Sequence, residues 1–110
     1  MTALHLLTKF CDDQVYIELA KYHDNTTAIR FVDVNTFEPV AIATVCLSKF
    51  KEVPAEGNVF IKDWSENEGM LKCLQDAGIL GEQVREVATG FVMVQECPLL
   101  LSPDDDRILK

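Results

Sequence analysis

Along the first half of the chain, apolar residues recur at every second position, the repeat that sends alternate side chains to opposite faces of a β-strand. Val15, Ile17 and Leu19 form one such row, opposed by Tyr16, Glu18, Ala20 and Tyr22, and the turn-forming clusters Cys11-Asp12-Asp13-Gln14 and His23-Asp24-Asn25-Thr26 bracket it. Thr27 to Val34 is rich in β-branched and aromatic residues, with Ile29 and Phe31 on one side and Arg30, Val32 and Val34 on the other. Asn35-Thr36-Phe37-Glu38-Pro39 then has the composition of a hairpin loop built around a type I turn, so the strands on either side of it should pair. Between Val40 and Leu47 both faces are apolar, which predicts a strand in the centre of a sheet. Ala3 to Phe10 is read as a further strand, although Leu4, Leu6 and Leu7 would also suit one helical turn.

A solvated loop from Ser48 to Asn58, with Pro54 and Gly57, separates these runs from a short strand at Val59-Phe60-Ile61-Lys62. Ser65 and Glu68 then have the spacing of a capping box, in which the Ser hydroxyl and the Glu carboxylate each accept from the other's backbone N–H. A helix over 65–77 is predicted, with Met70, Leu71, Cys73, Leu74 and Ala77 at helical spacing. Gly78 should end it in the left-handed conformation, and Ile79 should supply the apolar contact of a Schellman close. Beyond it, Gln83 to Ala88 has weak strand character, Thr89-Gly90 suits a turn, and Phe91-Val92-Met93-Val94 reads as a buried strand running towards Cys97. Pro98 should place the end of that strand at an edge or a bulge. The expected class is α+β: a mainly antiparallel sheet of about five to seven strands with one short helix packed on it.

With 110 residues and 48% hydrophobic content the chain suits one domain, taken as residues 1–101, followed by an acidic tail over 102–110 that should fray. Eighteen acidic against ten basic residues give a net charge of −8, which disfavours direct nucleic-acid binding, because that relies on Lys and Arg displacing phosphate counterions. No apolar run approaches the length of a membrane span, and Met1-Thr2-Ala3-Leu4-His5 lacks the basic start of a secretory leader, so a soluble cytoplasmic protein with no membrane partner is expected. Cys11, Cys46, Cys73 and Cys97 form no close pair and read as reduced, buried core thiols.

No phosphate-binding glycine loop or nucleophile elbow occurs, and His5 and His23 have no ligand-type neighbours at metal spacing, so no catalytic, cofactor-binding or metal-binding residue is assigned. Asp63, Glu66 and Glu68 could form a carboxylate cluster, but negative charge in a first helical turn is what the helix dipole favours. Trp64 precedes the predicted cap, and Gly69 stands where a hydrophobic staple would place an apolar partner. A glycine inside a helix costs about 1 kcal/mol relative to alanine, so Gly69 should let a bulky group, either the Trp64 ring or a partner, approach the backbone.

The string Phe60-Ile61-Lys62-Asp63-Trp64-Ser65-Glu66-Asn67-Glu68-Gly69-Met70-Leu71, followed by Leu74, Ala77, Gly78 and Ile79 and later by Thr89-Gly90-Phe91-Val92, resembles a group of small uncharacterised proteins encoded by bacteria, phages and plasmids. That group is marked by a Lys-Asp-aromatic-Ser-Glu-Asn-Glu-Gly stretch, and the Ala-x-Ala-Thr-Val-x-Leu run from Ala41 to Leu47 is similar to it too. Residue 64 is Trp where Tyr is expected, which keeps the aromatic body and loses the hydroxyl. The resemblance implies a mobile-element setting and a cytoplasmic location, and it names no activity. The leading expectation is a non-enzymatic accessory factor that binds a protein partner through Asp63, Trp64, Glu66 and Gly69, since an aromatic beside charges is a common anchor composition. The alternatives are an inhibitor of a bacterial antiviral defence system, such as an anti-CRISPR, acting through its acidic surface, and a small-molecule-binding or hydrolytic domain.

Overall fold

The computed structural model describes residues 1–109. The alternating runs form β1 (Leu4–Leu7), β2 (Asp12–Lys21), β3 (Thr27–Asp33) and β4 (Pro39–Ile42), an antiparallel meander in the order β1-β2-β3-β4. After a 3₁₀ turn at Ser48–Phe50 come β5 (Asn58–Ile61), a second 3₁₀ turn at Ser65–Asn67, α1 (Met70–Asp76), β6 (Arg85–Ala88) and β7 (Met93–Pro98). These three later strands make a second antiparallel sheet in the order β5-β7-β6. The class is α+β and mostly β, as the periodicity predicts, with the strands divided between two sheets.

The main core lies between the sheets. Leu4, Leu6, Val15, Ile17, Ile29 and Phe31 come from one face of the first sheet. They meet Val59 and Ile61 of β5, Cys97 of β7, and Met70 and Leu74 of α1. The opposite face of the second sheet carries a smaller cluster in which Phe60, Val87 and Val94 pack with Leu47 and are bordered by Val45, Trp64 and Val92.

The run from Val40 to Leu47 is not a central strand. β4 is the edge of the first sheet and stops at Ile42, which is half exposed. The chain then crosses to the second sheet: the Ala43 N–H donates to the Ile29 carbonyl at 2.9 Å, while Lys62 N–H donates to Ala43 O at 2.8 Å and Val45 N–H to Phe60 O at 3.1 Å. Both faces of this run are apolar because it serves two cores, Ala43 belonging to the main one and Leu47 to the smaller. Pro98 likewise ends β7, which is the middle strand of its sheet rather than an edge.

The acidic tail is docked where fraying is expected. Ile17 of β2 donates to the Arg107 carbonyl at 2.8 Å and accepts from Leu109 N–H at 2.7 Å, so the tail runs alongside β2 just beyond Leu4, the first residue of β1. Ile108 is buried in the main core, and Arg107 Nη1 donates to Ala77 O at the end of α1 at 2.9 Å. Three aspartates dominate the composition of this segment, and a single isoleucine anchors it. Of the thiols, only Cys97 is buried; Cys11, Cys46 and Cys73 are half-buried, and all are unbridged.

Candidate functional site

The predicted helix begins five residues late. Ser65 adopts φ +57° and makes no side-chain cap bond, so the capping box does not form; residues 65–67 make a 3₁₀ turn instead. The Glu68 carboxylate pairs with the Lys9 ammonium at 2.8 Å, and its carbonyl accepts from Lys9 N–H at 2.9 Å, binding this turn to the tip of the β1–β2 hairpin. Gly69, at φ +97°, is the N-cap of α1. A Cβ there would stand 3.4 Å from both Lys9 N and Thr8 Cα, so the bulky group that approaches Gly69 is the hairpin backbone, in place of the expected Trp64 ring or partner. At the other end the Schellman close forms as predicted: Gly78, at φ +74°, donates to Gln75 O at 3.0 Å and Ile79 donates to Leu74 O at 2.9 Å.

The cap that Ser65 was expected to supply comes from Asp63. Its Oδ1 accepts from Gly69 N–H at 3.1 Å and from Leu71 N–H at 2.9 Å, which satisfies two of the orphan donors of the first turn. Asp63→Ala should therefore cost about 1–2 kcal/mol in chemical denaturation, with Asp63→Asn recovering most of it. An Ala variant as stable as the parent would remove this capping role.

The four candidate residues thus divide. Asp63 and Gly69 build the start of α1. Glu66 is exposed and paired with Lys62, whose hydrogen bond pulls its carboxyl down to about 2. Trp64 leaves β5 in an extended conformation, φ −138° and ψ 170°, with its ring half-buried against the smaller core.

Two further aromatics line the same groove as that ring. Phe91 lies at the tip of the β6–β7 hairpin, where Thr89 N–H and Oγ1 both reach Val92 O at 3.1 Å and Gly90 takes φ +99°. Its side chain is fully exposed, where a buried strand residue is expected. The alternation that puts Val92 and Val94 on the core side puts Phe91 and Met93 outward, and that signal is readable in the sequence. Phe50, 41% exposed, stands on the Ser48–Phe50 turn. Val45, Leu47, Phe50, Trp64, Phe91 and Val92 line a groove of about 360 Å³ that opens to solvent.

A larger groove of about 670 Å³ lies between β4, the β1–β2 hairpin and α1. Thr8 Oγ1, on its wall, is buried without a hydrogen-bond partner among the described residues, while Tyr22 Oη donates to Thr44 O at 3.0 Å and Asn67 Nδ2 to Ile42 O at 2.7 Å. Cys11 also lines it, but burial and the nearby Asp13 push its thiol up to about 11, so it stays protonated at neutral pH. His23 Nε2 lies 3.0 Å from Ser48 Oγ, and the Cys46 thiol reaches Asp24 Oδ2 at 3.4 Å. Asp24 accepts from the Thr26 hydroxyl at 2.5 Å and from Thr26 N–H at 3.1 Å, which holds its turn and its carboxyl low. Among the described residues no group of three His, Cys, Asp or Glu side chains is placed to hold a metal ion, and no helix is long and apolar enough to cross a membrane.

Comparison of the chain with protein-family models, with curated proteins and with solved structures yields no match.

Proposed function

We propose that the protein is a non-enzymatic accessory factor that works in the cytoplasm by docking a partner protein in the groove of Phe50, Trp64 and Phe91. Phe91 carries this reading. Burying a Phe side chain is worth about 1.5–3 kcal/mol, and here the whole side chain stands in water on a hairpin tip. Single exposed apolar residues are ordinary, but three aromatics lining one concave, mostly apolar surface have the composition of an interface hot spot. The resemblance to phage- and plasmid-encoded proteins suits such a role, and inhibition of an antiviral defence complex is one form it could take.

The test is a photo-crosslinking residue placed at position 91, compared with one at Phe37, which is 55% exposed elsewhere on the surface. Position 91 should trap a defined protein in bacterial cytosol, the control should not, and Trp64→Ala should weaken trapping by ~10-fold or more. Equal trapping from both positions would discard the docking surface. A second reading, small-molecule binding, is favoured by the orphan Thr8 hydroxyl in the larger groove; a compound whose binding shifts Thr8, Cys11 and Met70 resonances would support it.

A further inference from the structure

We infer that the segment received by the Phe50–Trp64–Phe91 groove is linear and acidic, with one large apolar side chain flanked by carboxylates; this rests on the docking role proposed above. The ground is where the positive charge remains uncompensated. The chain has ten basic residues, and six of them, Lys9, Arg30, Lys62, Lys72, Arg85 and Arg107, are ion-paired within the fold. Lys21 donates to the Thr27 hydroxyl at 3.3 Å, and Lys110 lies outside the described residues. Lys49 and Lys51 remain. Both are exposed, neither has a carboxylate partner among the described residues, and they stand on either side of Phe50 on one turn.

Lys49 itself lines the groove, with its ammonium 5.3 Å from the centre of the Phe50 ring. Two nearby acids are already engaged. Glu52 accepts from Arg85 at 2.9 Å, and Asp24 is held by Thr26 and the Cys46 thiol. A protein with net charge −8 would in general attract basic partners, yet its aromatic groove is lined by the Lys49 ammonium, and Lys51 follows on the same turn. A basic segment would meet like charge there. An acidic one would gain a charge-assisted contact with Lys49 and the attraction of Lys51 beside it while its apolar residue fills the slot. The groove volume of about 360 Å³ is small for a pocket, which suits one anchoring side chain better than a folded element.

Trp64 is the only tryptophan and lies in the groove, so its fluorescence reports occupancy directly. The probes are three short peptides that share a central leucine and differ in its flanks: glutamates, glutamines or lysines. The glutamate peptide should bind ~10-fold more tightly than the glutamine peptide and lose that advantage as salt rises, and the lysine peptide should bind weakest. Lys49→Glu/Lys51→Glu, a surface change that should leave thermal unfolding in place, should reverse the order. Phe91→Ser should weaken all three.

Equal binding of the three peptides, or an order unchanged in the double variant, would overturn the acidic partner and leave the docking groove standing. No response of Trp64 to any peptide up to ~1 mM would also overturn it. The docking reading would then be judged separately by crosslinking from position 91.

Discussion

Replacing Glu96 by alanine should cost about 3 kcal/mol of folding stability, seen as a lower denaturation midpoint with little change in slope. Glu96 lies on β7, the middle strand of the second sheet, and is only 2% exposed. Its Oε2 accepts from Asn58 Nδ2 at 2.7 Å and from Ala55 N–H at 3.0 Å, and its Oε1 accepts from Arg85 Nε at 2.9 Å. Arg85 continues to Glu52 at 2.9 Å and to Val53 O at 3.2 Å, with its guanidinium 5.6 Å from the Phe60 ring centre. One carboxylate therefore holds the loop before β5 onto the sheet. Alanine would remove at once the acceptor shared by the part-buried Asn58 amide, the Ala55 N–H and the Arg85 guanidinium, and leave a cavity where the buried carboxylate stood. Glu82→Ala, at an exposed position, should stay within ~0.5 kcal/mol of the parent.

The same carboxylate predicts an acid response. Burial opposes ionisation of Glu96, but Asn58, the Ala55 N–H and Arg85 outweigh it and hold the carboxyl below its usual range. Because the folded value is the lower one, the unfolded chain binds more protons in acid. The stabilisation is complete above the unfolded value of about 4.3 and is lost as pH falls through the folded one. Glu96→Gln should flatten the acid limb of a stability–pH curve, and a limb as steep as the parent's would show that other carboxylates carry it.

What the sequence reveals follows the range of the forces involved. The alternation of Val15, Ile17 and Leu19 and the β-branched run after Thr27 yield β2 and β3 correctly, because strand periodicity is local and one face of the sheet is buried. Gly78 and Ile79 announce the end of α1 for the same reason: a Schellman close involves only neighbours. The start of α1 fails as a local prediction because the backbone of Thr8 and Lys9 arrives from the far end of the chain. It ties down Glu68 and requires the left-handed turn at Gly69, so Asp63 becomes the cap. The C-terminal segment fails similarly, since one isoleucine fitting the edge of β2 is invisible beside three aspartates. In the candidate site, Trp64 was legible as a lone aromatic next to charges. Its companions were not, because Phe50 and Phe91 reach it only through the two-sheet arrangement.

Leu74→Ala should destabilise the protein by about 3 kcal/mol and lower the melting temperature by roughly 10–20 °C, although it changes one residue of a seven-residue helix. A helix that short does not persist alone in water, so tertiary packing must hold it. Leu74 is fully buried in the cluster that joins both sheets, and its carbonyl accepts from Ile79 at 2.9 Å in the turn that closes the helix. Truncation leaves a cavity lined from several elements at once, and rigid neighbouring strands have little freedom to fill it. The loss should be sharpest in α1 itself: amide hydrogens of the helix should exchange faster than those of β2 and β3, as the helix opens before the first sheet does. Leu7→Ala, at a 54% exposed position on β1, should change stability by no more than ~0.5 kcal/mol. If Leu74→Ala were equally mild, α1 would be an ornament on the sheets, and the fixed placement of Trp64, which the helix start at Asp63 and Gly69 secures, would lose its physical basis.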